Sequence, residues 1–422
     1  MNVNCTPASI SGKIEAISSK SDAHRLLICA ALSETETKIH CNVMSKDIAA
    51  TVNCLKAMGA EIFVNDKVIT VNPKEFNKTA SLDCGESGST LRFLMPVVSA
   101  LGIDATIIGQ GRLPQRPISP LKEEMEKKGV VFNTDSNFPL HLSGKLQWGE
   151  YEIAGNISSQ FITGLLFALP ILNGDSKIRL IPPVESKSYL DITISALRKF
   201  GIEIEEKENL YIIKGNQKYI SPKELWVDGD WSNSSFFLCA GALNENGVTV
   251  TGLNINSPQG DKKILDILKS MGADVIINND EITVKKKDLK GIVVDASDIP
   301  DAVPIISVVA TMCEGETKII NAQRLRIKES DRIESVVKML ESVGAKIDET
   351  DDGMIIKGVR SLLGGIVEGY NDHRIVMSAA ILSSLCESEV TITDAQAVEK
   401  SYPDFFADFN KMGGNANVIN DR

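Results

Sequence analysis

Short polar segments suited to chemistry recur directly ahead of apolar, helix-like runs. Each brings cations, acids or hydroxyls to a turn, where a helix start leaves backbone N–H groups without intrahelical partners. Such a turn can hold a phosphate or a carboxylate, because the helix dipole favours negative charge there. The segments span residues 19–25, 85–92, 109–117, 158–160, 186–189, 298–302, 326–332, 372–374 and 400–403.

The first three segments have the composition of an anion cradle. Lys20, Ser21 and Arg25 bring two cations and a hydroxyl to one predicted helix start. Gly88 lies in a glycine-rich turn that lets a ligand approach the backbone, and Arg116 follows in a loop between prolines. A guanidinium fork matches carboxylate or phosphate geometry. The alternative for each segment is an ordinary helix cap with solvated charges.

Two further segments carry uncharged donors of the kind that hold phosphates and sugar-like hydroxyls. Ser158, Ser159 and Gln160 open one apolar run, and Ser186 and Tyr189 lie downstream. Helix capping explains these serines equally simply. Alone, neither segment decides between a binding site and a cap.

Cations and acids are densest in the C-terminal third of the chain. Lys328, Glu329 and Arg332 fall within one turn, and Arg374 and Lys400 lie in two others. This concentration in an acidic chain favours a functional site, although a capping box accounts for part of the first turn. Asp301, ahead of a long apolar run, is either a helix cap or a base in a partly dry cleft. Of the four histidines, His373, between Asp372 and Arg374, is the one that we expect to take part in the site.

Several classes of function are excluded by what the sequence lacks. It has no HExxH motif, P-loop, GxGxxG or GxSxG, so we expect no metal site, no dinucleotide-binding turn and no serine-hydrolase chemistry. A net charge of −11 argues against a nucleic-acid or basic membrane-binding surface. The eight scattered cysteines suit buried thiols in a reducing compartment, and no signal peptide is visible, so we expect a cytoplasmic protein.

The elements that position these segments form an internal repeat. A helical run, a glycine, a strand, a polar turn and a second strand recur around six glycines at intervals of 69 to 72 residues. The glycine fits a left-handed position after each helix, and the turns suit hairpins. The glycines are Gly59, Gly129, Gly201, Gly272, Gly344 and Gly413.

Six α/β units in 422 residues suggest two domains of three units each. A turn-rich segment near residues 227–231 is the candidate boundary. We therefore predict a first domain over residues 13–228 and a second over residues 229–422, which residues 1–12 join.

Taken together, the segments resemble those of the 5-enolpyruvylshikimate-3-phosphate (EPSP) synthase family. The resemblance covers residues 20–403 and includes KSxxxR, SSQF, SKxY, IPDA, KESDR, NDHR and KSYPDFF. It implies an α/β fold of two three-unit domains with the active site in the cleft between them, and it implies neither a metal nor an organic cofactor. It also implies transfer of the enolpyruvyl group of phosphoenolpyruvate to the 5-hydroxyl of shikimate 3-phosphate, in chorismate and aromatic amino acid biosynthesis. Among the positions that depart from the family pattern are Glu86 and Arg324, where asparagine is common.

The resemblance also implies roles for individual residues in a chain that we expect to act as a monomer. Asp301 accepts the hydroxyl proton, with Lys20 as a second candidate, and Glu329 protonates the methylene carbon beside His373. Shikimate 3-phosphate is held by Lys20, Ser21, Arg25, Ser158, Ser159, Gln160, Ser186, Tyr189, Asp301 and Lys328. Phosphoenolpyruvate is held by Lys20, Gly88, Arg116, Arg332, Arg374 and Lys400.

Two alternative functions remain at this point. UDP-N-acetylglucosamine enolpyruvyl transferases share the fold and chemistry that the resemblance implies. They typically carry a cysteine in the loop corresponding to residues 109–117, and this chain has none there. A non-catalytic repeat scaffold would fit the periodicity, but it gives no reason for cations clustered at turns.

Overall fold

The chain forms two compact units in a computed structural model that describes residues 1–133 and 138–419. The contiguous unit is Ser18–Val227. The discontinuous unit combines Met1–Ile17 with the residues from Asp228 onward. Twelve α-helices and 24 strands lie in the described ranges.

The helices are α1 (Lys20–Leu32), α2 (Lys46–Met58), α3 (Gly88–Leu101), α4 (Leu121–Lys127), α5 (Ser159–Ala168), α6 (Lys187–Lys199), α7 (Trp231–Ala242), α8 (Ile264–Met271), α9 (Val303–Ala310), α10 (Arg332–Glu341), α11 (His373–Ser383) and α12 (Phe405–Lys411). The strands are β1 (Asn2–Cys5), β2 (Gly12–Glu15), β3 (Thr37–His40), β4 (Glu61–Asn65), β5 (Val68–Asn72), β6 (Thr79–Asp83), β7 (Asp104–Ile108), β8 (Val130–Phe132), β9 (Leu140–Gly144), β10 (Glu150–Ala154), β11 (Ser176–Ile181), β12 (Ile204–Lys207), β13 (Leu210–Ile213), β14 (Glu224–Trp226), β15 (Val248–Thr251), β16 (Asp274–Asn278), β17 (Glu281–Lys285), β18 (Val293–Asp295), β19 (Glu316–Ile320), β20 (Lys346–Thr350), β21 (Gly353–Lys357), β22 (Gly365–Val367), β23 (Val390–Ile392) and β24 (Ala416–Ile419).

The strands form six four-stranded sheets with one repeated topology, three sheets in each unit. In the sheet ordered β6-β7-β9-β8, β6 pairs parallel with β7 across the crossover helix α3. The antiparallel pair β8 and β9 then completes the sheet. The predicted α/β fold of two domains with three repeated units each is therefore confirmed.

The periodic glycines have the backbone geometry that the sequence predicted. Each follows a helix by one to three residues with φ between 74° and 121°, a region in which a Cβ atom is unfavourable. The polar turn of the second repeat falls on residues 134–137 and lies outside the described residues.

Three strands join sheets far from their own place in the sequence. Strand β14 pairs with β3 in the first repeat of the contiguous unit, and β2 pairs with β15 in the discontinuous unit. Strand β1 lies between β23 and β24. Because β2 belongs to the discontinuous unit, the N-terminal segment of that unit runs to Ile17. The sequence analysis predicts that this segment ends at residue 12.

The first helix of each repeat is buried, so the polar segments lie at its N-terminal end. Every residue of α7, α9 and α11 is buried, and these three helices pack against one another. Helices α1, α3 and α5 are mostly buried in the other unit. Because their bodies form the core, their N-terminal turns are the places left for polar chemistry. No helix in the described ranges is long and apolar enough to cross a bilayer.

Candidate active site

Lys20 is held at the first position of α1 by a carboxylate from the next helix. Its Nζ lies 2.8 Å from Oδ2 of Asp47, and both side chains are largely buried. Ser19 caps the helix by accepting a hydrogen bond from the backbone N–H of Asp22. The ammonium group is therefore fixed beside the N–H groups of the first turn, where an anion is favoured.

Arg25 joins the start of α1 to α6. Its Nε donates to Thr193 Oγ1 at 2.8 Å, and its Nη groups donate to the carbonyls of Ser21 and Tyr189. The guanidinium lies over the Phe93 ring, 5.0 Å from the centroid. Burial lowers the pKa of Arg25 to about 10, so the group stays charged at neutral pH.

Gly88 lies beneath two guanidinium groups. A Cβ atom built on Gly88 would come within 2.6 Å of Arg92 Nη1 and 2.9 Å of Arg116 Nη1. Glycine at this position therefore allows both cations to approach the first turn of α3. Ser87 caps that helix by accepting the backbone N–H of Thr90.

Gln160 is oriented by hydrogen bonds from α3. Its Oε1 accepts from Arg92 Nη1 at 2.7 Å, and its Nε2 donates to Ser89 Oγ at 3.0 Å. Ser158 caps α5 and Ser159 is its first, buried residue. The SSQ segment thus faces the same helix turn that Gly88 opens.

Ser186 begins α6 in an unusual backbone conformation. It is buried and has φ of 53° and ψ of 41°, the left-handed region that few non-glycine residues adopt. Its carbonyl accepts the backbone N–H of Tyr189 at 3.1 Å. Strain of this kind is often retained at binding sites, which is consistent with the predicted role of this segment.

In the discontinuous unit, Arg332 binds three carboxylates. Its nitrogens lie 2.8 Å from Asp301, 2.6 Å from Glu329 and 2.8 Å from Asp372, and its side chain is 1% exposed. Burial would lower the pKa of Arg332, but Asp372, Glu329 and Asp301 raise it above its ordinary value. The Arg332 guanidinium therefore stays charged, and its three ion pairs hold it in one position.

Asp301 is the centre of a second set of ion pairs. Its Oδ2 lies 3.1 Å from Arg374 Nη2, and its Oδ1 lies 3.7 Å from Lys328 Nζ. Burial would raise the pKa of Asp301, but Arg374, Lys328 and Arg332 hold it well below its usual range. The carboxylate is thus ionised, and it is a weak base as long as these cations surround it.

His373 and Lys400 lie beside the same cluster. Asp372 caps α11 by accepting the backbone N–H of Arg374, and His373 is the first, buried residue of that helix. Lys400 Nζ donates to the carbonyl of Asn371 at 2.6 Å. Both predicted residues therefore border the turn that holds Asp372.

The predicted site residues form two groups, one in each unit. In the contiguous unit, hydrogen bonds and packing connect the turns that carry Lys20, Ser21, Arg25, Gly88, Arg116, Ser158, Ser159, Gln160, Ser186 and Tyr189. In the discontinuous unit, ion pairs and backbone contacts connect Asp301, Lys328, Glu329, Arg332, His373, Arg374 and Lys400. Within the described ranges, no group of three acids, histidines or cysteines is arranged to hold a metal ion.

Sequence reasoning missed the residues that hold these groups in place. Arg92, Asp47 and Asp372 each bond a predicted site residue. Arg92 and Asp372 lie in segments that the sequence indicates, but neither is predicted as a site residue, and Asp47 lies in no such segment. Arg92 gave the clearest signal, since an arginine inside an apolar helical run needs a buried partner. The pairing of Asp47 with Lys20 has no local signature, because the two residues belong to different helices.

Comparison with known proteins identifies the class. The EPSP synthase (3-phosphoshikimate 1-carboxyvinyltransferase) family model matches residues 5–409. A 3-phosphoshikimate 1-carboxyvinyltransferase of Clostridium novyi is 45% identical, with 98% of each chain covered, and one of Clostridium perfringens ATCC 13124 is 43% identical with 97% of each covered.

Solved structures show the same fold. EPSP synthase from Acinetobacter baumannii matches with a TM-score of 0.83 and 26% identity over 99% of this chain and 100% of that one. The enolpyruvyl transferase NikO from Streptomyces tendae matches with a TM-score of 0.82 and 19% identity over 99% and 98%.

Fold and charged turns together define an enolpyruvyl transferase. Because the family model matches residues 5–409 and full-length relatives are up to 45% identical, the chain belongs to one family within that class, the EPSP synthase family. It is therefore an enzyme of aromatic biosynthesis that transfers the enolpyruvyl group of phosphoenolpyruvate to shikimate 3-phosphate.

Proposed function

We propose that residues of both units contact the same pair of substrates and divide the work of enolpyruvyl transfer. Shikimate 3-phosphate is held by side chains of the contiguous unit, namely Lys20, Ser21, Arg25, Ser158, Ser159, Gln160, Ser186 and Tyr189. Asp301 and Lys328 of the discontinuous unit also hold it. Arg332, Arg374 and Lys400 hold phosphoenolpyruvate, aided by Lys20, Gly88 and Arg116. The observation that carries this proposal is the buried cluster in which Asp301 meets three cations.

The cluster explains how Asp301 can become a base when substrates bind. Without substrate, Arg332, Arg374 and Lys328 hold its pKa low. The phosphate and carboxylate of phosphoenolpyruvate neutralise Arg332 and Arg374, which strengthens Asp301 as a proton acceptor. The Asp301 carboxylate then takes the proton of the 5-hydroxyl while the hydroxyl oxygen attacks C2 of phosphoenolpyruvate. Lys20 is the second candidate for the proton acceptor.

Glu329 supplies the second proton transfer. Its Oε2 lies 2.6 Å from Arg332 Nη2, so an anion that engages Arg332 also lies near the Glu329 carboxyl. Negative charge there favours the protonated acid. Glu329 protonates the methylene carbon to give a tetrahedral intermediate, with His373 close by. It takes a proton back from the resulting methyl group as phosphate leaves.

Phosphate release with defined acceptors tests the reaction. Purified protein and phosphoenolpyruvate are combined with either shikimate 3-phosphate or UDP-N-acetylglucosamine, and the enolpyruvyl product is identified by mass spectrometry. We expect phosphate only with shikimate 3-phosphate. Release only with the nucleotide sugar, or with neither acceptor, would overturn the proposal.

Three substitutions test the division of roles. Lys20→Ala, Glu329→Gln and Arg374→Ala should each lower activity at least about tenfold, or about 1.4 kcal/mol of transition-state binding. Lys338→Ala is the matched control, because Lys338 is half-exposed on α10 and pairs with Glu334 one turn earlier in the same helix. Near-normal turnover in all three variants would refute the site assignment.

We further propose that the enzyme acts as a monomer in the cytoplasm. All eight cysteines are buried free thiols, which fits a reducing compartment. Light scattering after size exclusion should give about 46 kDa, close to the chain mass of 45.8 kDa, and a dimer mass would contradict the proposal.

A further inference from the structure

Asp261 is a buried carboxyl group that local structure does not explain. It lies in the short 3₁₀ helix Gly260–Lys263 ahead of α8 and is 5% exposed. Its side chain caps neither helix, and its Oδ1 makes no hydrogen bond with the described residues. Burying a carboxyl with so few partners costs stability. A compensating role is therefore expected.

A hydrogen bond to the Asp261 side chain fixes the direction of a serine hydroxyl. Ser232, in the first turn of α7, donates its hydroxyl hydrogen to Asp261 Oδ2. A serine hydroxyl has one hydrogen and two lone pairs. Once the hydrogen points to Asp261, only lone pairs remain for other neighbours.

Those lone pairs face Arg374. Its Nη2 lies 3.2 Å from Ser232 Oγ, and its guanidinium also donates to the carbonyl and the carboxylate of Asp301, both at 3.1 Å. Asp301 is the group that the proposed reaction engages with substrate. Ser232 is thus a contact of Arg374 that the proposed chemistry leaves undisturbed.

We propose that Asp261 is a positioning residue that aims Arg374 at phosphoenolpyruvate through the hydroxyl of Ser232. The inference rests on the proposed role of Arg374 in binding that substrate. Asp261, Ser232 and Arg374 form a relay of carboxylate, hydroxyl and guanidinium within the discontinuous unit. It holds the guanidinium while Asp301 changes partners.

The charges around Asp261 are consistent with this role. Burial raises the pKa of Asp261 to about 7, Asp301 and Asp230 raise it as well, and Arg374 and the Ser232 hydrogen bond lower it. Arg374 is therefore the cation that favours the ionised form of Asp261. The protonated form can still accept from Ser232 at Oδ2, so the relay does not depend on the charge alone.

Steady-state kinetics of three variants test the relay. Asp261→Ala removes the acceptor and should raise the KM for phosphoenolpyruvate at least about fivefold, with KM for shikimate 3-phosphate changed less than about twofold. Asp261→Asn keeps an oxygen that can accept from Ser232, so it should recover most of the loss. Asp266→Asn, an exposed acid on α8, is the matched control.

A double-mutant cycle separates the relay from a merely structural effect. Ser232→Ala should raise the same KM, and adding Asp261→Ala should then change it by less than about twofold, because the two residues act in series. Full additivity, an equal rise in both KM values or no rise in either single variant would overturn the relay. If Asp261→Ala proves unstable in thermal unfolding, Ser232→Ala and Asp261→Asn still test it.

Arg374→Lys distinguishes failure of the relay from failure of the proposed site. Lysine cannot reproduce the guanidinium fork, so the KM for phosphoenolpyruvate should rise. A rise here without any effect of Asp261→Ala or Ser232→Ala would refute the relay alone. No rise here would refute the role of Arg374 on which the relay depends.

Discussion

Charge balance explains why the buried cluster is stable before substrate arrives. Arg332 faces Asp301, Glu329 and Asp372, while Arg374 and Lys328 supply further positive charge. A buried ion without partners would be costly, but each member here has at least one. When a substrate anion binds, the cations of this preformed cluster therefore exchange a carboxylate partner for the anion.

Lys328 should make substrate capture sensitive to alkaline pH. Burial lowers its pKa to about 8, so the charge is present below that pH and is lost as the pH rises through it. We expect kcat/KM for shikimate 3-phosphate to fall above about pH 8, by up to about tenfold per pH unit, in rate measurements from pH 6.5 to 10. Lys328→Arg should remove this decline, because arginine stays charged. An unchanged decline in that variant would exclude Lys328 as its cause.

Gly88→Ala should weaken phosphoenolpyruvate binding without unfolding the protein. The added Cβ displaces the guanidinium ends of Arg92 and Arg116, which can move because they are side-chain termini. We expect about a tenfold higher KM for phosphoenolpyruvate in steady-state assays. Gly102→Ala is the control at the other end of α3, where φ is 71°, so it should lower stability by about 1 kcal/mol and leave this KM unchanged.

The sequence identifies residues whose motif is local and misses those whose partner is remote. Arg332 and Arg374 are recognised from short segments rich in charge. Asp261 is not, because its partner Ser232 lies 29 residues away and an acid in a turn is ordinary. Ser232 likewise has no distinguishing neighbours in the sequence.

Between elements, hydrogen-bonded side chains connect helices α1, α2 and α3 of the contiguous unit. His24 Nδ1 lies 2.7 Å from Thr51 Oγ1 on α2, and Thr51 lies 2.7 Å from Thr90 Oγ1 on α3. Thr90 then donates to the cap Ser87 at 2.8 Å. The turn that opens at Gly88 is therefore held by the helix that begins with Lys20.

His24 should make this arrangement acid-sensitive. Burial, with the charges of Lys20 and Arg25, holds its pKa well below 6.5. Below pH 6.5 the unfolded chain binds a proton that the folded protein resists, so stability falls as the pH falls, by up to about 1.4 kcal/mol per pH unit. Urea unfolding between pH 5 and 7 measures this slope.

Two variants locate the source of that slope. His24→Gln removes the titrating group and should flatten the dependence. His141→Gln, at an exposed position of β9, should leave it as in the parent protein. If His24→Gln keeps the full slope, other groups cause it.

The repeats were predictable because their signals are local. A glycine after a helix and a polar hairpin turn each mark one point in the chain, and all six glycines have the expected backbone. The pairing of β2 with β15 and of β14 with β3 leaves no such mark. These contacts join segments roughly 190 to 240 residues apart, where only the folded core determines the partner.

For the whole molecule, strand β1 is the element that completes the last sheet. Val3 is 1% exposed in the core, and β1 pairs with both β23 and β24. Val3→Asp buries an unpaired charge and should destabilise the discontinuous unit by at least about 3 kcal/mol. Hydrogen exchange should show loss of protection in β23 and β24 but not in β3 or β7.

Asn4→Asp is the matched control for that experiment, because Asn4 lies on the opposite face of β1 and is only half-buried. It should leave protection of β23 and β24 nearly unchanged. Equal loss in both variants would mean that charge in the strand, not burial at Val3, is responsible.

The position of β1 has a consequence for biosynthesis. On the ribosome, the contiguous unit has all its residues once Val227 has emerged, so it can fold while the rest of the chain is still being translated. The N-terminal strand β1 must wait until both of its partners, β23 and β24, have been translated. During that interval the nascent chain carries an unpaired strand edge, which is a site for incorrect pairing. The time needed to translate the chain from β1 to β24 therefore sets how long that edge is exposed.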